Sequence, residues 1–178
     1  MQQESIRAER LELVWFSPDG VEAILANRRD GLGFEVPDDW PNEHDRRFLA
    51  FRLRQARAEP ERARWFVYAI VLDGAMIGHI GFHGPRGSNA RKDRQAVEIG
   101  YTVFEPHRRQ GYATEAVRAL LDWTRAQGVE RVIASVGPQN EPSLALIRRL
   151  GFREVGSHWD DEDGEELEFE LSLSVARP

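Results

Sequence analysis

The stretch EIGYTVFEPHRRQGYATE, Glu98 to Glu115, decides how the rest of the chain is read. It reads as a strand, Ala96 to Val103, then a short loop broken by Pro106, a glycine at Gly111, and a helix. A glycine just ahead of a helix lets the backbone turn successive N–H groups toward one point. The helix adds N–H groups that have no intrahelical partner, and the positive end of its dipole. Together these make a cradle for a phosphate or pyrophosphate, with Arg108 and Arg109 as nearby charges. Two familiar phosphate loops are excluded. There is no Walker Lys-Ser/Thr pair, and no full dinucleotide glycine triplet follows the strand.

Composition sets the class. With 178 residues, 41% hydrophobic and 30% charged, one soluble α/β domain spanning residues 1–178 is expected. The net charge of −6 argues against a nucleic-acid partner and suits a cationic substrate. Cysteine is absent, so disulfides, cysteine–zinc sites and a thiol nucleophile are excluded. Lys92 is the single lysine, and the other basic residues are arginine. No secretory signal is visible in MQQESIRAERLE, and the longest apolar run, Trp65 to Leu72, is far short of the roughly 18 residues of a membrane helix. The expected location is cytoplasmic.

Upstream, Leu11 to Phe16 reads as a first strand. Ser17 before Pro18 reads as an N-cap and first helical residue, with a helix running to about Asn27. The turn-rich segment GLGFEVPDDWP, Gly31 to Pro41, carries Glu35, Asp38, Asp39 and Trp40. It is either a solvated loop or, with its aromatic among carboxylates, the wall of an amine site. His44 to Ala58 reads as a second helix ended by Pro60. Strands Trp65 to Leu72 and Ala75 to Phe82 are joined by Asp73-Gly74, a two-residue hairpin signal. His79 and His83 would lie about 13 Å apart on a strand, so no metal site is assigned.

On the organising strand, Val97, Ile99, Tyr101 and Val103 face one side and Glu98, Gly100 and Thr102 the other. A carboxylate in a central strand is costly to bury unless it borders water or has a partner. Glu98 is therefore the most informative acid. It is either a functional base or one half of an ion pair with an arginine. Downstream, Ala113, Ala116, Val117, Leu120 and Leu121 form one stripe of a helix from Tyr112 to Gln127, which Gly128 stops. Arg131 to Val136 is a further strand. NEPSLALIRRLGF, Asn140 to Phe152, is a capped helix with Ser143, Leu146, Ile147 and Leu150 on one face. Arg153 to Trp159 and Leu167 to Val175 form a closing hairpin around the turn DEDGEE. Leu167, Phe169, Leu171, Leu173 and Val175 point inward, and the acids line a solvated edge.

Two of these segments resemble a known family. Arg108-x-x-Gly111-x-Ala113 is similar to the acetyl-CoA pyrophosphate loop of the GNAT N-acetyltransferase superfamily, and GYATEA (Gly111 to Ala116) to its RimJ/RimL-type branch. The Asn140 to Phe152 segment resembles the superfamily's second motif, Asn-x-x-Ala/Ser and a short helix ending Gly-Phe. The likeness runs from about Trp65 to Val175; the first 60 residues match only in general shape.

The resemblance implies a mixed, mostly antiparallel sheet of about six to seven strands with about four helices. The strands ending at Val103 and Val136 would be parallel neighbours splayed at their ends to admit pantetheine. It implies acetyl transfer from acetyl-CoA to an amine. Backbone around Thr102 and Val103 would meet pantetheine, and Arg108, Arg109, Gln110, Gly111, Tyr112, Ala113 and Thr114 would hold the pyrophosphate. Asn140 and Ser143 would also contact the cofactor. Glu98 would accept the amine's proton through water, and an N–H near Val103 would stabilise the oxyanion. Asp38, Asp39 and Trp40 are the candidate substrate wall.

One departure stands out. Many members carry, at the position of Ile147, a tyrosine that protonates the departing thiolate. A thiol pKa of about 8.5 makes that thiolate tolerable without a strong acid, and Ser143, one turn earlier, is a candidate donor. The acceptor would be a protein N-terminus or a small-molecule amine, and at most a second copy of the chain would join as a homodimer. Neither nucleic acid nor membrane is an expected partner. The alternative is an acyl-CoA-binding regulatory module without catalysis.

Overall fold

A computed structural model describes residues 5–161 and 164–173. Its strands are β1 (Ser5–Arg7), β2 (Leu11–Trp15), β3 (Val67–Leu72), β4 (Ala75–Phe82), β5 (Ala96–Val103), β6 (Arg131–Val136), β7 (Arg153–Asp160) and β8 (Gly164–Ser172). Four α-helices accompany them: α1 (Pro18–Leu25), α2 (Glu43–Ala58), α3 (Tyr112–Ala126) and α4 (Glu141–Arg149). Two short 3-10 turns, Pro60–Trp65 and Glu105–His107, precede β3 and the glycine loop.

The strand order is β1-β2-β3-β4-β5-β6-β8-β7. The described residues form eight strands rather than six or seven, because Ser5–Arg7 adds an edge strand antiparallel to β2. Pairing is antiparallel at β2/β3, β3/β4, β6/β8 and β7/β8, and parallel at β5/β6. The parallel register covers Ala96↔Arg131, Val97↔Val132 and Glu98↔Ile133, whereas β6 stays registered with β8 up to Val136. Among the described residues, no helix is long and apolar enough to cross a membrane.

Local chemistry explains the boundaries. The Ser17 hydroxyl accepts from the Gly20 amide at 3.1 Å and starts α1 at Pro18. Asn42 and Asp45 form a reciprocal capping box that opens α2 one residue earlier than the periodicity suggests. Asp73 and Gly74 both adopt positive φ, the geometry of a tight hairpin turn. Trp65, read as the start of β3, instead closes the turn Pro60–Trp65, and the strand begins at Val67.

The chain divides into two compact units. One comprises Tyr101–Ala116 and the described residues up to Gly81; the other comprises Phe82–Gly100 and the described residues from Val117 on. The first has a core built on Val14, Phe16, Ile24, Leu49, Phe66 and Trp40. In the second, Phe82, Val97, Leu120, Ile133, Ile147 and Phe169 are buried.

The closing hairpin needs one correction. Phe169 and Leu173 point inward as expected, but Glu168 is buried as well. Its carboxylate meets Arg91 Nη1 at 2.6 Å and His158 Nδ1 at 3.1 Å, which is what makes its burial tolerable. Of the residues assigned to this hairpin, Glu162, Asp163, Ser174 and Val175 lie outside the described part of the chain.

Candidate active site

The glycine loop is held from below by the start of β2. Arg109 and Gly111 both have positive φ, +60° and +85°, just before the chain enters α3. The first intrahelical bond there runs from the Glu115 N–H to the Gly111 carbonyl, 3.1 Å. Amides ahead of Glu115 therefore have no carbonyl inside the helix to bond, which is the donor set an anion needs.

Glu115, in the first turn of α3, accepts from the Arg10 amide (2.6 Å), the Leu11 amide (3.1 Å) and Arg10 Nε (2.8 Å). The same guanidinium lies over the Tyr112 ring at 4.5 Å and reaches the Gln110 carbonyl at 3.3 Å. Arg108 sends its Nε to the Val103 carbonyl at 2.9 Å, tying the loop to the end of β5. A phosphate fits this arrangement: helix-start amides, two neighbouring arginines, and a glycine where a side chain would strain the backbone.

Burial alone would raise the Glu115 pKa, but the Arg10 and Leu11 amides and the Arg10 guanidinium outweigh it and hold the group below 4.5. A carboxyl depressed in the fold stabilises the protein above its unfolded pKa, and that contribution is lost as pH falls through the folded value. Glu115→Gln is therefore expected to cost about 1.5–3 kcal/mol at pH 7. The difference from the parent protein should shrink below about pH 4.5, as urea unfolding at several pH values would show.

In the second unit, Glu98 is 2% exposed. Its Oε1 accepts from the Ser135 hydroxyl at 2.6 Å and its Oε2 from the Ala90 amide at 2.6 Å. His83 Nδ1 stands 3.4 Å from Oε1. The expected arginine alternative is not what is found: Arg91 binds Glu168 and Arg131 binds Asp93. Sequence reasoning missed both His83 and Ser135. His83 follows β4 directly, and its own N–H donates to the Glu98 carbonyl at 2.8 Å.

Asn140 caps α4, its Oδ1 accepting from the Ser143 amide at 3.3 Å, so its Nδ2 donors are the part suited to a ligand. Residues Gly137 to Asn140, Pro142 and Glu165 line an open hollow of about 580 Å³ beside this cap. Ser143 is half-buried, and Ile147 is completely buried in the core-facing side of α4.

Two expectations change. Trp40 is only 5% exposed and packs on Phe16, His79 and Phe104, so it belongs to the core and not to a substrate wall. Its burial follows from Arg29, which gathers the Pro37, Asp38 and Trp40 carbonyls and folds the loop inward. Asp38 and Asp39 stay exposed. On β5, the Thr102 carbonyl is turned toward Gly78 of β4. Strand alternation then leaves Val103, not Thr102, with its N–H directed away from β4.

The Acetyltransferase (GNAT) domain family matches residues 10–153. The chain belongs to this family. Among curated relatives, the GNAT chain is 27% identical over 125 residues to the uncharacterized N-acetyltransferase YjdG of Bacillus subtilis, covering 68% of this chain and 71% of that protein. It is 34% identical to the uncharacterized N-acetyltransferase YnaD of the same organism, over 54% of each. The chain thus spans about half the length of YnaD. Among solved structures, RimL, the ribosomal L7/L12 alpha-N-protein acetyltransferase, superposes with a TM-score of 0.68 at 21% identity. That match covers 97% of this chain and 96% of RimL, and RimL is also solved with coenzyme A. At such identity the likeness is one of fold.

Proposed function

We propose that this GNAT protein is an acetyl-CoA-dependent N-acetyltransferase that acylates a primary amine, either a protein N-terminus or a small molecule. The observation that carries the reading is the pair of positive-φ residues, Arg109 and Gly111, directly ahead of a helix whose first bond runs from the Glu115 N–H to the Gly111 carbonyl. There the donor's pyrophosphate would sit, with Arg108, Arg109, Gln110, Gly111, Tyr112, Ala113 and Thr114 around it. Val103 would offer its backbone to pantetheine and its N–H to the developing oxyanion. Asn140 and Ser143 are assigned to cofactor contacts as well. When bound, the thioester supplies an activated acetyl group.

Proton removal from the ammonium is assigned to the Glu98 group, a buried carboxylate with Ser135 and His83 beside it. Ile147, completely buried, contributes packing and no proton. The leaving thiolate is then stabilised without a strong acid, or by Ser143. Relatives named as N-acetyltransferases support catalysis over a CoA-binding module without it. Incubation with acetyl-CoA and an amine panel, followed by mass spectrometry, should show one class of amine acetylated.

Recognition of that amine is assigned to Asp38 and Asp39, the exposed acids of the Gly31–Pro41 loop. The double change to Asn should raise the amine KM severalfold while leaving acetyl-CoA affinity intact. An unchanged amine KM would return the loop to a solvated role.

A further inference from the structure

Glu98 carries a difficulty as a direct proton acceptor. Its side chain is 3% exposed, and each oxygen already accepts a hydrogen bond of 2.6 Å. At that burial an ammonium group delivered from solvent has little direct access to it. The His83 side chain, by contrast, is 47% exposed and has Nδ1 3.4 Å from Glu98 Oε1.

The ring's position is determined at both ends. Its backbone N–H donates to the Glu98 carbonyl, which places the residue opposite the acid. Its far edge lies over Gly100: a Cβ added there would stand 3.2 Å from Nε2 and 3.7 Å from Cδ2. Gly100 shares the strand face of Glu98, so ring and carboxylate occupy one side of β5. Absence of a side chain at residue 100 is what lets the imidazole lie there.

We propose that His83 is the catalytic group that takes the proton from the acceptor amine, and that Glu98 is a positioning residue holding it. This deepens, and rests on, the N-acetyltransferase reading. A neutral imidazole with its hydrogen on Nδ1, toward Glu98, presents a lone pair on Nε2. Ser135 and the Ala90 amide each donate to the carboxylate and hold it in place beside the ring.

The step balances. The ammonium gives one proton to His83 Nε2. The freed nitrogen forms a bond to the thioester carbonyl carbon, and the carbon–sulfur bond breaks. The second nitrogen-borne proton leaves with the thiolate as CoA thiol, and His83 returns its proton to water. No oxidant or metal is required.

The test compares His83→Ala, Glu98→Gln and the double variant in wild-type background, with acetyl-CoA affinity measured for each by calorimetry. His83→Ala should lower kcat by about 10²–10⁴-fold at unchanged acetyl-CoA affinity. Added imidazole should restore part of that loss in His83→Ala and none in Glu98→Gln. The double variant should be no slower than His83→Ala alone.

Full turnover by His83→Ala, or a loss that imidazole does not relieve, overturns the proposal. If His83→Ala does not fold, nitrogen NMR of the wild-type imidazole decides. Hydrogen on Nδ1 supports the assignment, and hydrogen on Nε2 overturns it. A wild-type protein that acetylates no amine defeats the acetyltransferase reading itself; failure of His83 alone would be seen in variants of an active enzyme.

Discussion

Gly111→Val should abolish coenzyme A binding in a protein that still folds. Gly111 sits at φ +85°, where a β-branched residue is a genuine outlier, whereas the space around it is open apart from Arg10 Nη2 at 3.4 Å. The penalty is therefore in the backbone, about 1–2 kcal/mol if the conformation is kept. Relaxing φ relieves that strain, but it turns the amides at the start of α3 away from their common point. Losing two charge-assisted hydrogen bonds, each worth about 1.5–3 kcal/mol, weakens affinity by at least about 100-fold. Calorimetry on the folded variant would show it. Unchanged affinity would remove the loop from the donor site.

Gly78→Ala should be strongly destabilising. An alanine Cβ would lie 2.1 Å from the Thr102 carbonyl oxygen and 3.0 Å from the Val103 Cα. Those atoms are backbone, so no side-chain rotation relieves the overlap. β4 and β5 must separate where the Phe104 amide bonds the Ile77 carbonyl at 2.8 Å, and the loop tied to Val103 moves with them. Overpacking of this kind costs about 3 kcal/mol or more. Urea unfolding should show a midpoint well below the parent's, and acetyl-CoA affinity should fall as well. A variant of parental stability would mean that the strands have slack at this contact.

The parts of this fold that were legible in sequence are those governed by local chemistry. The limits of β5 and β6 are as expected because β-branched runs are bracketed there by turn residues. The Asp73-Gly74 hairpin, the Ser17 and Asn140 caps and the glycine that follows α3 depend on neighbours only a few residues away. Gly111 was recognisable for the same reason: positive φ before a helix is a property of the chain itself.

What was not legible depends on residues distant in sequence. Trp40 looked like part of a polar loop, and only the Arg29 carbonyl clamp reveals it as core. Glu98 stood out as an acid in a central strand, but its partners come from a loop eight residues upstream, through Ala90, and from a strand 37 residues on, through Ser135. Likewise β1 is three residues long, too short for any alternation to register. Glu168 reads as an outward acid until Arg91, 77 residues away, is placed against it.

The most direct measurement is the release of CoA thiol from acetyl-CoA by the wild-type protein, followed across a panel of α-amines, lysine-like amines and polyamines. The expected result is amine-dependent thiol release, one thiol for each acetylated amine, saturating in both substrates and lost in Gly111→Val. Tight acetyl-CoA binding with no amine-dependent release from any member of the panel would contradict it, and would leave a chain that holds the donor without using it.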